Sequence, residues 1–195
     1  EGNYASLVSA FHKSFAVSQG KSRWANMDIA TLDNMHSAHA WCPDAKCSHI
    51  VRDGRDVALS HETMPFGASN TLECAAEWLS RVRTNIRMGQ MLPDDQYYVC
   101  RYEDLLQSPA DECRKLCAFI GVEYDPEMLD FYKSADNRVP ENRRWLWPTI
   151  DKPIQSENLG LWRRKMSNRK RIIFEGIANS LLGELGYDTY AVKPK

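Results

Sequence analysis

Val51-Arg52-Asp53-Gly54-Arg55-Asp56-Val57-Ala58-Leu59-Ser60 is the stretch that decides the fold. The run that leads into it, Cys47-Ser48-His49-Ile50-Val51, is short, apolar and bounded by turn residues, which predicts a buried strand. Asp53-Gly54 predicts a tight turn, and Asp53 to about Met64 suits a helix stopped by Pro65. Arg52 therefore stands at the carboxyl end of a strand, where open α/β sheets bind ligands. Ser60 lies eight positions on, two helical turns away. A guanidinium fork and a hydroxyl can hold one phosphate between them. The plainer alternative is a structural ion pair of Arg52 with Asp53 or Asp56.

Upstream, residues 3–18 read as an amphipathic helix ending near Gly20, Arg23-Trp24-Ala25-Asn26 as a short strand, residues 31–41 as a helix, and Pro43-Asp44-Ala45 as a turn. Downstream, Ser69-Asn70-Thr71 can cap a long helix over 71–90, with Ala75, Trp78, Leu79, Val82 and Ile86 on one side. Gln96–Tyr102 reads as a second strand. Ser108-Pro109 opens a helix over 109–120 that Gly121 stops, and Asp125-Pro126 opens a shorter one. Residues 136–158 read as an ordered loop, and 167–184 as a final helix ending at Gly186. Short strands alternating with helices imply an α/β fold with a parallel sheet covered on both faces.

The chain has 195 residues, with 43% hydrophobic and 26% charged, enough for one domain with a real core. A net charge of −1 gives no global pull toward nucleic acid or membrane, so any anion site must be local. No apolar run reaches the length of a membrane span. The start, Glu1-Gly2-Asn3-Tyr4, has neither a leader pattern nor an initiator Met, as a processed product or a fragment would. The six cysteines sit in strand and helix settings that suit core thiols rather than a disulfide scaffold, and a reducing, cytoplasmic setting is expected.

Arg52-Asp53-Gly54-Arg55-Asp56-Val57…Ser60 resembles the 3′-phosphate motif of sulfotransferases that use 3′-phosphoadenosine 5′-phosphosulfate (PAPS). Three more segments agree, in order. Arg101-Tyr102-Glu103-Asp104-Leu105, then Ser108-Pro109 and Leu116–Gly121, resemble the family's strand and helix after its long central helix. Lys152-Pro153 followed by Trp162 resembles the C-terminal loop of tyrosylprotein sulfotransferases, and Leu185-Gly186-Tyr187-Asp188 with Tyr190 resembles the end of that group. Pro65-Phe66-Gly67 with Ala75-Ala76-Glu77-Trp78 is similar to many bacterial members. The resemblance covers about residues 21–190. It implies a three-layer α/β domain of the P-loop kinase-like sulfotransferase type over residues 1–195. It implies that Arg52 and Ser60 hold the 3′-phosphate, that Tyr102 packs on adenine and that Lys152 reaches a phosphate. The implied cosubstrate is PAPS, with adenosine 3′,5′-bisphosphate as product, and the acceptor is a hydroxyl or amine. No catalytic residue is assigned; His61 and Glu62 are available as bases, but nothing selects them.

Two departures from the family pattern shape the expectations. The family opens with a strand, an Arg-Ser-Gly-Thr-Thr-like loop that cradles the 5′-phosphosulfate, and a helix. No such unit is expected ahead of residue 1, no Walker-type Gly-x-x-x-x-Gly-Lys-Ser/Thr occurs, and Gly67-Ala68-Ser69-Asn70-Thr71 follows a helix, so it reads as a cap. The first βα unit is therefore expected to be missing. That leaves strands 47–51 and 97–102 without a shared neighbour, Ile50, Val51 and Val99 exposed, and the sheet edge open to self-association. In Trp24-Ala25-Asn26-Met27-Asp28-Ile29, Met27 stands where relatives carry the lysine that neutralises charge on the bridging oxygen, and Ile29 where they carry proline. Slow transfer follows, and a nucleotide-binding or interaction module without catalysis is the alternative function.

Other constellations weigh less. His36, His39, Cys42, Cys47 and His49 fall close together but match no paired zinc spacing. Arg81/Arg83/Arg87 reads as a solvated helix face. Arg143-Arg144-Trp145-Leu146-Trp147 mixes cations and aromatics as a single-strand nucleic-acid surface would, yet the balanced total charge argues against such a partner.

Overall fold

The computed structural model describes residues 4–27, 33–62, 64, 68, 70–137 and 149–189. Its elements run α1 (Tyr4–Ser18), α2 (Met35–Trp41), β1 (Cys47–Val51), α3 (Gly54–His61), α4 (Thr71–Gly89), β2 (Tyr97–Arg101), α5 (Tyr102–Gln107) and α6 (Pro109–Ile120). Two 3-10 segments, Pro126–Asn137 and Ser156–Asn158, lead to α7 (Trp162–Lys165) and α8 (Asn168–Glu184). The expected helix stop at Pro65, the Pro65–Gly67 motif, Ser69 of the expected cap, Ile29, and residues 138–148 of the expected loop lie outside the described residues.

Local chemistry sets the helix ends. The Asn70 side chain accepts from the Glu73 N–H at 3.0 Å, which settles the α4 start on one residue of the Ser69–Thr71 cluster. Pro109 begins α6, where its missing N–H costs nothing. Gly121, at φ 73°, takes the left-handed turn that ends α6, and Gly186, at φ 74°, does the same after α8. The Gly186 turn lets Tyr187 N–H reach Leu182 O at 2.9 Å and sends Tyr187 back into the core.

β1 and β2 are parallel and hydrogen-bonded to each other, and they make the whole sheet among the described residues. No third strand joins them among the described residues, as expected, but the expected gap between them is corrected, because they pair directly. Each satisfies the other's ladder, beginning with Cys47 N–H to Gln96 O at 2.8 Å. The reading of β1 as buried on both faces is corrected too. His49 and Val51 are buried while Ser48 and Ile50 are exposed, a strand with one covered face. Val51 is covered and Val99 half-covered, so Ile50 alone of the three apolar residues is exposed. Among the described residues each strand keeps one outer edge without a strand partner. Arg23–Asn26 forms no strand; Trp24 stacks instead on His12 of α1, ring centroids 4.2 Å apart.

The chain divides into two compact units. The first takes Glu1–His49 and Arg83–Tyr98. Its interior holds a polar pair: His49 Nδ1 and the Tyr97 hydroxyl share a hydrogen bond of 2.8 Å. Tyr97 also lies flat on Gly89, where any Cβ would come within 2.3 Å of the ring. Burial lowers the His49 pKa to about 4, against the pull of Asp33. Asn85, also buried, donates to Asp33 at 3.3 Å.

The second unit takes Ile50–Val82 and Val99–Lys195. Its core forms where the α4 stripe Cys74, Ala75, Trp78 and Val82 and the α8 stripe Phe174, Ala178 and Leu181 are buried. The Trp78 and Phe174 rings meet at 5.8 Å between centroids.

Candidate functional site

The β1–α3 junction lies wholly in the second unit. Arg52 follows the last residue of β1, and Tyr102 follows the last residue of β2. Because the strands are parallel neighbours, both side chains leave the same edge of the sheet. The Arg52 guanidinium lies 4.9 Å from the centre of the Tyr102 ring. Two of the four expected site residues are thus brought together. The Arg52 Nε is buried and has no hydrogen-bond partner among the described residues.

The alternative pairing of Arg52 with Asp53 or Asp56 is not what forms. Asp53 is taken by Arg55, whose Nε donates to Oδ1 at 3.0 Å and Nη2 to Oδ2 at 2.8 Å. The remaining arm of Arg55 donates to Glu175 at 2.7 Å, and its guanidinium lies 3.6 Å from the Trp162 ring centre. Arg55 is fully buried. Burial works against its charge, but the bonds and charges of Asp53 and Glu175 more than compensate, and its pKa is raised. Asp56 accepts from the Trp162 N–H at 2.8 Å and the Gly160 N–H at 3.0 Å. Both acidic residues of the motif are therefore committed to structure, which leaves Arg52 as its one outward cation.

The Arg52–Asp53 peptide group is held on both sides. Its carbonyl accepts from Trp78 Nε1 at 3.1 Å, and its N–H donates to Glu103 Oε1 at 2.9 Å. The other Glu103 oxygen accepts from the Tyr187 hydroxyl at 2.9 Å. Gly54 is what allows Trp78 this close: a Cβ there would stand 2.5 Å from both the Trp78 and Phe174 rings. The glycine serves close approach and not a left-handed turn, since its φ is not positive.

Ser60 sits in the last turn of α3 and is half-buried. Lys152 is exposed in the turn after Thr149. Met27 is fully exposed. Among the described residues, no hydrogen bond or ion pair joins Lys152 to Arg52 or Tyr102. Sequence reading missed Glu103, Trp78, Tyr187 and Glu175 as parts of the junction. Glu103, Trp78 and Tyr187 each lie in a motif quoted above, which could have flagged them, whereas Glu175 carried no such signal. Burial pushes the Cys74 and Cys100 thiols up to about 11, so neither is a thiolate nucleophile.

The profile of the Sulfotransferase family matches residues 2–126, well over half of the chain. The chain belongs to the sulfotransferase family. A putative protein-tyrosine sulfotransferase of Caenorhabditis briggsae is 24% identical to it over 195 residues, covering 96% of this chain and 69% of that protein. A protein-tyrosine sulfotransferase of Drosophila melanogaster is 25% identical over 182 residues, covering 88% of this chain but only 36% of that protein. A putative protein-tyrosine sulfotransferase of Caenorhabditis elegans is 25% identical over 178 residues, covering 88% and 68%. Among solved structures, the sulfotransferase domain from the curacin biosynthetic pathway superposes with a TM-score of 0.53 at 16% identity, over 83% of this chain and 59% of that one. This sulfotransferase chain thus shares the α/β fold of that domain while spanning about three fifths of its length.

Proposed function

We propose that the protein binds the adenosine 3′,5′-bisphosphate end of PAPS and moves the sulfuryl group to a hydroxyl, with the phenol of a protein tyrosine as the acceptor class that its relatives support. The observation that carries this is Arg52: a guanidinium at the carboxyl edge of a parallel sheet, over the Tyr102 ring, with a buried Nε that has no hydrogen-bond partner among the described residues. A buried, unsatisfied donor costs about 1–3 kcal/mol, a debt that an anion cancels. The motif's own carboxylates are hydrogen-bonded to Arg55 and to backbone N–H groups, and Asp56 feels the Arg52 charge.

In the transfer, the acceptor oxygen attacks sulfur as the sulfur–oxygen bond to the 5′-phosphate breaks. Adenosine 3′,5′-bisphosphate leaves and the acceptor proton passes to a base. Positioning and charge neutralisation supply the rate, as in phosphoryl transfer. A second reading, nucleotide binding without transfer, rests on Met27, which offers no positive charge where relatives carry lysine.

Calorimetry with adenosine 3′,5′-bisphosphate and with 5′-AMP tests the proposal. The bisphosphate should bind at least tenfold more tightly, since each charge-assisted hydrogen bond to the 3′-phosphate is worth about 1.5–3 kcal/mol. Arg52→Ala should abolish the difference. Equal affinities in the unaltered chain would overturn the assignment of Arg52.

A further inference from the structure

We propose that Glu103 and Trp78 are positioning residues for Arg52. They grip the Arg52–Asp53 peptide group from its two sides, and Tyr187 holds Glu103 in place. The inference rests on the reading that Arg52 takes the 3′-phosphate.

A peptide group has one N–H and one C=O, and here both are spent on side chains: the carbonyl on Trp78 Nε1 at 3.1 Å, the N–H on Glu103 Oε1 at 2.9 Å. With both bonds made, the plane of that peptide cannot turn without breaking one of them. The plane constrains the direction in which the Arg52 Cα–Cβ bond leaves the strand, and the guanidinium at the end of that side chain lies 4.9 Å from the Tyr102 ring centre. The two clamps are themselves fixed. Trp78 is wedged beside Gly54, where a Cβ would come within 2.5 Å of its ring. Glu103 is buried and its second oxygen is bound by the Tyr187 hydroxyl at 2.9 Å. Burial and the Glu103 charge raise the Tyr187 pKa, so the phenol stays protonated and its hydroxyl remains a donor. The C-terminal turn therefore bears on the phosphate arginine through one carboxylate.

The test uses the full chain and reads the ratio of affinities for adenosine 3′,5′-bisphosphate and 5′-AMP. Glu103→Leu, Trp78→Phe and Tyr187→Phe should each lower that ratio by about 3- to 10-fold, the worth of one buried hydrogen bond. Affinity for 5′-AMP should stay within about twofold, and Glu103→Gln, which keeps an acceptor, should restore most of the ratio. Tyr187→Phe keeps its ring and its packing, so it decides the matter if Glu103→Leu or Trp78→Phe fails to fold. A ratio unchanged in both aromatic variants, or equal losses toward both nucleotides, would overturn the positioning role. No preference for the bisphosphate in the unaltered chain would instead overturn the assignment of Arg52 itself.

Discussion

Burying an imidazole removes the water that stabilises its charged form, and at His49 this outweighs the nearby Asp33 charge. The folded pKa is about 4 against an ordinary 6.5, so the unfolded chain binds the proton more readily. Stability is unaffected by this group above pH 6.5 and falls as pH drops toward 4, where the loss approaches about 3 kcal/mol. Urea midpoints measured from pH 7.5 to 4.5 should therefore fall. The fall should be shallower in His49→Asn, which keeps a polar group beside Tyr97 but does not titrate. Parallel slopes in the two proteins would show that His49 does not carry the pH dependence. The same residue shows a limit of sequence reading. His49 was legible as a strand residue, but its hydrogen bond to Tyr97 joins residues 48 positions apart, and no local pattern encodes that.

At the scale of the element, α3 is anchored by charge. Arg55 on its first turn is fully buried between Asp53 and Glu175 of α8, both of which contact it. Removing one partner from a buried ion network leaves charge that neither water nor protein compensates, at a cost of about 3–5 kcal/mol. Glu175→Ala should lose that much in chemical denaturation, whereas Glu77→Ala on α4, whose partner Arg81 is exposed, should lose under about 1 kcal/mol. Similar small losses in both would mean that the α3 network is solvated. The elements themselves were largely legible: α1, β1, α4, β2, α6 and α8 fall within a few residues of their sequence-based bounds, because periodicity, caps and stop residues are local signals. Their burial was less so. The sequence placed Arg55 inside a phosphate motif, and only its tertiary partners show that it faces the core. Gly54 read as a turn glycine for the same reason, since Trp78 and Phe174 approach it from other helices.

At the scale of the molecule, the site residue Arg52 and its ring partner Tyr102 were legible because a motif of neighbouring residues carries them. The groups that hold the junction were not, because they come from distant parts of the chain. Arg55 meets Glu175 across 120 positions, Asp56 meets Trp162 across 106, and Glu103 meets Tyr187 across 84. All of these partners lie beyond residue 126, where the family match ends. A chain of residues 1–126 should therefore show no cooperative melt and no preference for adenosine 3′,5′-bisphosphate, although it keeps Arg52, Ser60 and Tyr102. Circular dichroism and calorimetry on that piece check this, and a sharp melt would show that the long-range partners are dispensable. Distance along the chain is also delay in time. During synthesis Arg55, Asp56 and Glu103 leave the ribosome many seconds before the residues that satisfy them, at about 5–20 residues per second. Until Tyr187 has emerged, the second unit has no way to close, and the nascent protein depends for those seconds on whatever shields its unfinished core.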